Sequence, residues 1–308
     1  MYQHFLSIQE LSKAEITQIL AAAQEHLEQT KQLATFTGKW VVNAFFEPST
    51  RTRCSFEIAA KRLGAEVLNL DIINSSAQKG EEILDTFKNL AAMGCDVFVI
   101  RHTENHMAEH IAKHLNAAVI NAGNGQHEHP TQAILDMLTI RQHKTNFAEL
   151  SVAIVGDIIH SRVARSDIFA LQTLGVEDIR IIAPRMLLPS NNSELGVQVF
   201  DNLSLGLKNV DVIIALRIQK ERMRAATLAD IDPFYQPYQI TTDVLSIAKP
   251  DVLIMHPGPL NRETEITSEV ADGPHSAILQ QAKNGVAARM AVLEFVQGYI
   301  PVELQDAN

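Results

Sequence analysis

Short apolar runs alternate along most of this chain with stretches whose apolar residues recur at helical spacing. The pattern predicts strands over 41–46, 66–70, 96–100 and 118–120, and helices over 52–63, 82–93 and 105–115. In the helix from 52, Phe56, Ala59, Ala60 and Leu63 supply the i, i+3, i+4, i+7 stripe. An opening helix precedes the series. Ser12-Lys13-Ala14-Glu15 is a capping box, and Ile16, Ile19, Leu20, Ala23 and Leu27 follow on one face. Pro130 suits a first helical position and starts a helix running to residue 142. The polar stretch 143–149 reads as a crossing between domains.

A second series then begins, with strands over 151–155, 179–182, 210–215 and 252–255 and a helix over 162–174. Residues 184–195 read as loop and 233–237 as a break. The pattern is helical again over 276–297, with an interruption expected at Asn284-Gly285. Such alternation implies an α/β protein of two domains facing one another, each a mainly parallel sheet flanked by helices and joined by interdomain helices. The expected division is 1–142, 143–285, and a C-terminal helix in 286–308 packing back on the first domain.

Composition narrows the function. The chain has 308 residues, 46% of them hydrophobic, enough for two cores. A formal charge of −10 argues against nucleic acid as a partner, since a phosphate-binding face needs a cationic excess. No apolar run approaches the roughly 20 residues of a membrane span. The start Met1-Tyr2-Gln3-His4-Phe5 shows no secretory pattern, so a cytoplasmic location is expected. The two cysteines, Cys54 and Cys95, form neither a disulfide framework nor a zinc spacing and are expected to be buried.

Polar clusters fall just after the predicted strands, where open α/β sheets bind ligands. Ser49-Thr50-Arg51-Thr52-Arg53 joins the first strand to its helix. A helix start offers unpaired N–H donors and the positive end of its dipole, and arginines add forked donors. The alternative is an ordinary hydroxyl cap with solvated arginines; five such residues at one turn favour an anion site. Asn74 to Glu81 is either a solvated connection or a carrier for Lys79 as a mobile cation. Arg101 ends the third strand and is equally a surface or a functional arginine. His129 and Gln132 begin the helix at Pro130. The pair His127-x-His129 invites a metal, but no third ligand lies at a diagnostic spacing. His129 is either a helix-start cap or a donor to a carbonyl that gains charge during reaction. In the second half, Gly156-Asp157-Ile158 lacks the remaining glycines of a dinucleotide fingerprint. Arg162, Arg217 with Gln219, and His256-Pro257-Gly258-Pro259 occupy equivalent strand-end positions, and two arginines there suggest a carboxylate ligand. The residues alone thus point to transfer or ligation between two small anions.

Together with Lys79-Gly80-Glu81 and the run 217–222, these motifs resemble, in order and over nearly the whole chain, the catalytic chains of the aspartate/ornithine carbamoyltransferase family, on its aspartate side. The resemblance implies transfer of the carbamoyl group of carbamoyl phosphate to L-aspartate, giving N-carbamoyl-L-aspartate and phosphate in de novo pyrimidine biosynthesis, without metal or organic cofactor. By it, Ser49, Thr50, Arg51 and Thr52 would hold the phosphate. Arg101 would reach the phosphate and carbonyl, Thr52 and His129 would polarise the carbonyl, and Gln132 would bind the amide. Arg162, Arg217 and Gln219 would hold the aspartate carboxylates, and the backbone at Gly258 and Pro259 would line the carbamoyl group. The loop with Ser75 and Lys79 would enter a neighbouring subunit's site, Ser75 toward carbamoyl phosphate and Lys79 toward aspartate and the reacting atoms. That implies a homotrimer with shared active sites. The family includes free trimers and larger assemblies with regulatory or dihydroorotase subunits. Asn124 stands where many relatives have Asp, and Gly258 where some have Leu. Two rival readings are an ornithine carbamoyltransferase and a catalytically silent assembly partner. Pro257 replaces the cysteine typical of the first, and the second would be expected to have lost Lys79, His129 or the Ser49–Thr52 hydroxyls.

Overall fold

The computed structural model describes residues 4–29, 33–71, 81–189, 195–219 and 236–300. The chain divides into two compact units, 1–138 with 282–308, and 139–281. Both divisions fall within helices.

The first unit runs α1 (Lys13–Glu28), β1 (Trp40–Phe45), α2 (Thr50–Arg62), β2 (Glu66–Asn69), α3 (Ile83–Ala92), β3 (Val97–His102), α4 (Met107–Ala112), β4 (Ala118–Asn124) and α5 (Pro130–His143), and is rejoined by the helix Ile278–Val296. The sheet is parallel throughout, in the order β2-β1-β3-β4. The capping box forms: the Ser12 hydroxyl accepts from the Glu15 N–H, and the Glu15 carboxylate accepts from the Ser12 N–H at 2.8 Å. Val42, Ala44, Phe98, Ile100 and Val119 from the sheet pack against Phe87, Ala108 and Ile111. The last helix docks through His26–Glu294 at 2.8 Å and an edge-on contact of Phe5 with Phe295.

The second unit contains β5 (Ser151–Val155), α6 (Arg162–Leu174), β6 (Asp178–Ile182), β7 (Gln198–Phe200), β8 (Val212–Ala215) and β9 (Leu253–Met255). Its parallel sheet has the order β7-β6-β5-β8-β9, over a core that includes Val155, Ile182, Ile213, Ile254 and Ile266. Strand order reverses between β1 and β3 in the first sheet and between β5 and β8 in the second, the topological points where such sheets bind ligands.

Four expectations are corrected. The last helix does not break at Asn284-Gly285. Gly285 instead makes room, since a Cβ there would stand 2.7 Å from Arg289 Nη1. Strand β4 extends through Asn124, past residues that read as loop, because its asparagines find partners. Asn121 Nδ2 donates to Leu6 O at 2.8 Å, and Asn121 Oδ1 accepts from the Gly123 N–H. The three-residue β7 has no counterpart in the sequence reading. Cys54 is exposed and Cys95 half-buried. No helix among the described residues is long and apolar enough to cross a membrane.

Candidate active site

At the carboxyl end of β1, Ser49 takes the cap position of α2 with extended backbone, but its side chain makes no capping bond. Ser49 is therefore not the hydroxyl cap of the alternative reading, although Arg51 is exposed as that reading expects; a helix start without such a cap has the polarity to meet an anion. Thr52 is buried in the first turn and Arg51 is exposed.

The next strand in the sheet, β3, carries Arg101 as its penultimate residue. The two strand ends are tied by Phe46 N–H donating to Arg101 O at 2.8 Å. The guanidinium is nearly buried and fixed on three sides. Nη2 pairs with Glu47 at 2.8 Å, while Nη1 donates to Ala122 O at 3.2 Å and lies 3.5 Å from His129 Nε2. Arg101 is thus no surface residue. It stands between the Glu47 end of β1 and the His129 start of α5. His102 beside it is neutral in character, because burial lowers its pKa and Glu104 and Glu47 only partly offset that. Its Nδ1 accepts the Glu104 N–H at 3.0 Å.

His129 is buried just ahead of α5, and its carbonyl accepts the Gln132 and Ala133 N–H groups. The segment leading to it is closed by reciprocal bonds. Asn124 N–H donates to Glu128 O at 3.1 Å, and Glu128 N–H donates to Asn124 Oδ1 at 3.0 Å. The fully buried Glu128 carboxylate accepts from the Ser7 hydroxyl and from the Ile8 N–H at 2.9 Å. In the first turn of α5, Gln132 Nε2 donates to both oxygens of Asp136 at 3.1 Å. A carboxylate only accepts, so the amide nitrogen must face it, and Oε1 is left as an acceptor suited to an N–H₂ group. Asp136 also tempers the buried Arg289, whose pKa burial pushes down to about 10, still protonated at neutral pH. That guanidinium lies 5.1 Å from the Phe56 ring of α2, bracing the helix from below.

In the second unit, Arg162 is the buried first residue of α6, after β5, and Ser161 caps that helix through the Ala164 N–H. Arg217 and Gln219 follow the adjacent β8. Asp157 links the two strand ends: Oδ1 pairs with His160 Nδ1 at 2.8 Å and Oδ2 accepts the Gln219 N–H at 3.0 Å. Gln219 Nε2 donates one N–H to His160 O at 2.9 Å, and its second N–H has the polarity to meet a carboxylate. After β9, the next strand over, Gly258 N–H donates to His256 Nδ1 at 2.8 Å. The proton of that imidazole is therefore on Nε2, which donates to the buried Glu265 at 3.1 Å. The same carboxylate oxygen accepts the Asn261 N–H, so the turn carrying Gly258 and Pro259 is held from both sides.

Within each unit, then, the expected residues gather at one sheet edge: Ser49–Thr52, Arg101, His129 and Gln132 in the first; Arg162, Arg217, Gln219, Gly258 and Pro259 in the second. Ser75, Lys79 and residues 220–222 lie outside the described residues. Sequence reasoning missed the acids that fix these groups, namely Glu47, Glu128, Asp136, Asp157 and Glu265. Only Gln132 and Asp136, four apart on a helix, left a signal in spacing.

Residues 3–142 match the family model for the aspartate/ornithine carbamoyltransferase carbamoyl-P binding domain, and residues 148–296 match the Asp/Orn binding domain of the same family. Among solved structures, ornithine carbamoyltransferase from Pyrococcus furiosus is 30% identical with a TM-score of 0.87, over 96% of this chain and 97% of that one. Aspartate transcarbamoylase from Trypanosoma cruzi, in complex with carbamoyl aspartate and phosphate, is 30% identical with a TM-score of 0.86, over 94% and 95%. The same T. cruzi enzyme in complex with N-(phosphonacetyl)-L-aspartic acid gives 30% and 0.85, over 94% of each chain.

Proposed function

We propose, from the premise that this chain belongs to the aspartate/ornithine carbamoyltransferase family, that its carbamoyl acceptor is L-aspartate. The products would be N-carbamoyl-L-aspartate and phosphate, a step of de novo pyrimidine biosynthesis in the cytoplasm. The observation that carries this choice is the pair Arg162 and Arg217 on the adjacent strand ends of β5 and β8, with Gln219 beside them. Two guanidinium groups match the two carboxylates of aspartate, whereas ornithine offers one carboxylate and a cationic side chain.

In this reading, the start of α2 holds the phosphate through Ser49, Thr50, Arg51 and Thr52. The aspartate amine attacks the carbamoyl carbon, the C–N bond forms, and the bond from carbon to the phosphate oxygen breaks. Charge builds on the carbonyl oxygen, where Thr52, Arg101 and His129 donate hydrogen bonds. Gln132 Oε1 accepts from the carbamoyl amide, the Gly258 and Pro259 backbone lines that group, and the departing phosphate takes the amine proton. Holding both reactants in register supplies up to about 7–11 kcal/mol of the barrier in favourable cases. The active form is a homotrimer in which the neighbouring subunit contributes Ser75 and Lys79, alone or with regulatory or dihydroorotase subunits.

The test is a carbamoylation assay on purified protein with aspartate and ornithine offered separately. Turnover of aspartate is expected. Turnover of ornithine alone overturns the assignment, and turnover of neither favours a silent assembly partner.

A further inference from the structure

His127 does pair with a histidine, though not with the neighbour two residues away. It meets His106, with ring centroids 4.2 Å apart. His106, Glu109 and His127 each present a ligating atom, all within 4.8 Å of one another, and His106 Nδ1 stands 3.4 Å from Glu109 Oε1. That last separation is loose for a hydrogen bond. It is close to the ~3.3–3.4 Å that separates two ligands of a tetrahedral metal bonded at about 2.0–2.1 Å.

The surroundings are those of a held site. Asn124 Nδ2 donates to both Glu109 oxygens at 3.2 and 3.3 Å, the kind of outer hydrogen bond that orients a ligating carboxylate. Asn105 Oδ1 accepts the Gln126 N–H at 3.0 Å, and Gly125 N–H donates to His102 O at 2.9 Å. A Cβ on Gly125 would lie 2.0 Å from Asn105 Oδ1, so the two segments approach as closely as they do only because residue 125 is glycine.

We propose that His106, Glu109 and His127 form a binding site for a transition-metal dication of the zinc type, with an open position for water. Two imidazoles exclude Mg²⁺ and Ca²⁺ as the natural occupant. The ion staples the segment after Arg101 to the segment before His129, and takes no part in the chemistry of transfer.

The experiment titrates chelator-stripped full-length protein with Zn²⁺ by calorimetry, in excess Mg²⁺. One tight equivalent per chain and a raised melting temperature are expected. His106→Asn, chosen because Asn tolerates the φ of 60° there, and Glu109→Gln, which keeps an acceptor for Asn124, should each weaken Zn²⁺ at least about tenfold. Wild-type affinity in either variant, with native circular dichroism, overturns the site. A readout on the unaltered protein guards against misfolded variants: Zn²⁺ should shield His106 and His127 from diethylpyrocarbonate. Equal modification with and without the ion overturns the proposal as well.

Discussion

Asn124→Asp isolates one contact, because it exchanges a single nitrogen for oxygen at constant shape. Asn124 Oδ1 accepts the Glu128 N–H, which an aspartate oxygen would do as well. The other edge changes sign. Nδ2 donates to Glu109 at 3.2 and 3.3 Å, so the substitution places two carboxylates oxygen to oxygen at that distance. At an effective dielectric constant of about 20, two unit charges 3.2 Å apart repel by about 5 kcal/mol. The pair can escape by binding one proton. That escape costs about 1.4 kcal/mol for each pH unit above a carboxylate's ordinary value near 4. The folded-state pKa is thus raised above the unfolded one, and the penalty is absent below the unfolded value and grows as pH rises toward the folded value. The expected loss of stability is about 1.4 kcal/mol at pH 5 and about 5 kcal/mol at pH 8. Urea unfolding of both proteins at the two pH values measures it. A loss of equal size at both, or none at pH 8, would refute the contact and its sign.

Four further outcomes follow from the site. His129→Ala should lower kcat by about 10²–10³, the usual cost of one oxyanion donor, with unchanged circular dichroism; near-normal kcat removes His129 from the reaction. Arg217→Ala should raise the aspartate concentration for half-saturation at least about tenfold, as loss of a charged hydrogen bond implies, and an unshifted aspartate curve contradicts its role. Mixing Lys79→Ala with His129→Ala subunits should restore activity, since some hybrid sites would be intact; verified mixed trimers without activity argue against shared sites. Gly285→Ala should destabilise by about 1–3 kcal/mol through overpacking against Arg289 and Leu135, and a raised melting temperature would show that the helix gains more from alanine than packing loses.

Elements with strong periodicity were legible in the sequence. The strand 151–155 and the helix 162–174 stand where the pattern puts them, and the capping box of α1 makes both its bonds. Two of the failures share a cause, in that a local signal was overridden by a side-chain contact that the hydrophobic pattern does not show. Asn121 and Asn124 read as loop because nothing nearby reveals Leu6 O or Glu109. Gly285 read as a break because its reason is a guanidinium four residues on. Strand β7, three residues at a sheet edge, is too short for alternation to register. The site divides in the same way. Hydroxyls and arginines clustered at strand ends are visible as composition, whereas Glu47 on Arg101 and Ser7 on Glu128 are separated by 54 and 121 residues.

The grip of Glu128 on Ser7 and Ile8 has a consequence for how the first sheet avoids self-association. In the order β2-β1-β3-β4, β4 is an edge strand and would present a row of unpaired N–H and C=O groups. Phe5 covers that row: its N–H donates to Val119 O at 2.9 Å, and its carbonyl accepts the Asn121 N–H at 2.8 Å. A buried carboxylate next to His129 therefore doubles as the peg that keeps a sticky edge closed. A chain clipped after residue 8 would expose an apolar strand edge, with Glu128 stripped of both bonds to the clipped segment. Its first symptom should be aggregation, before any change in substrate affinity.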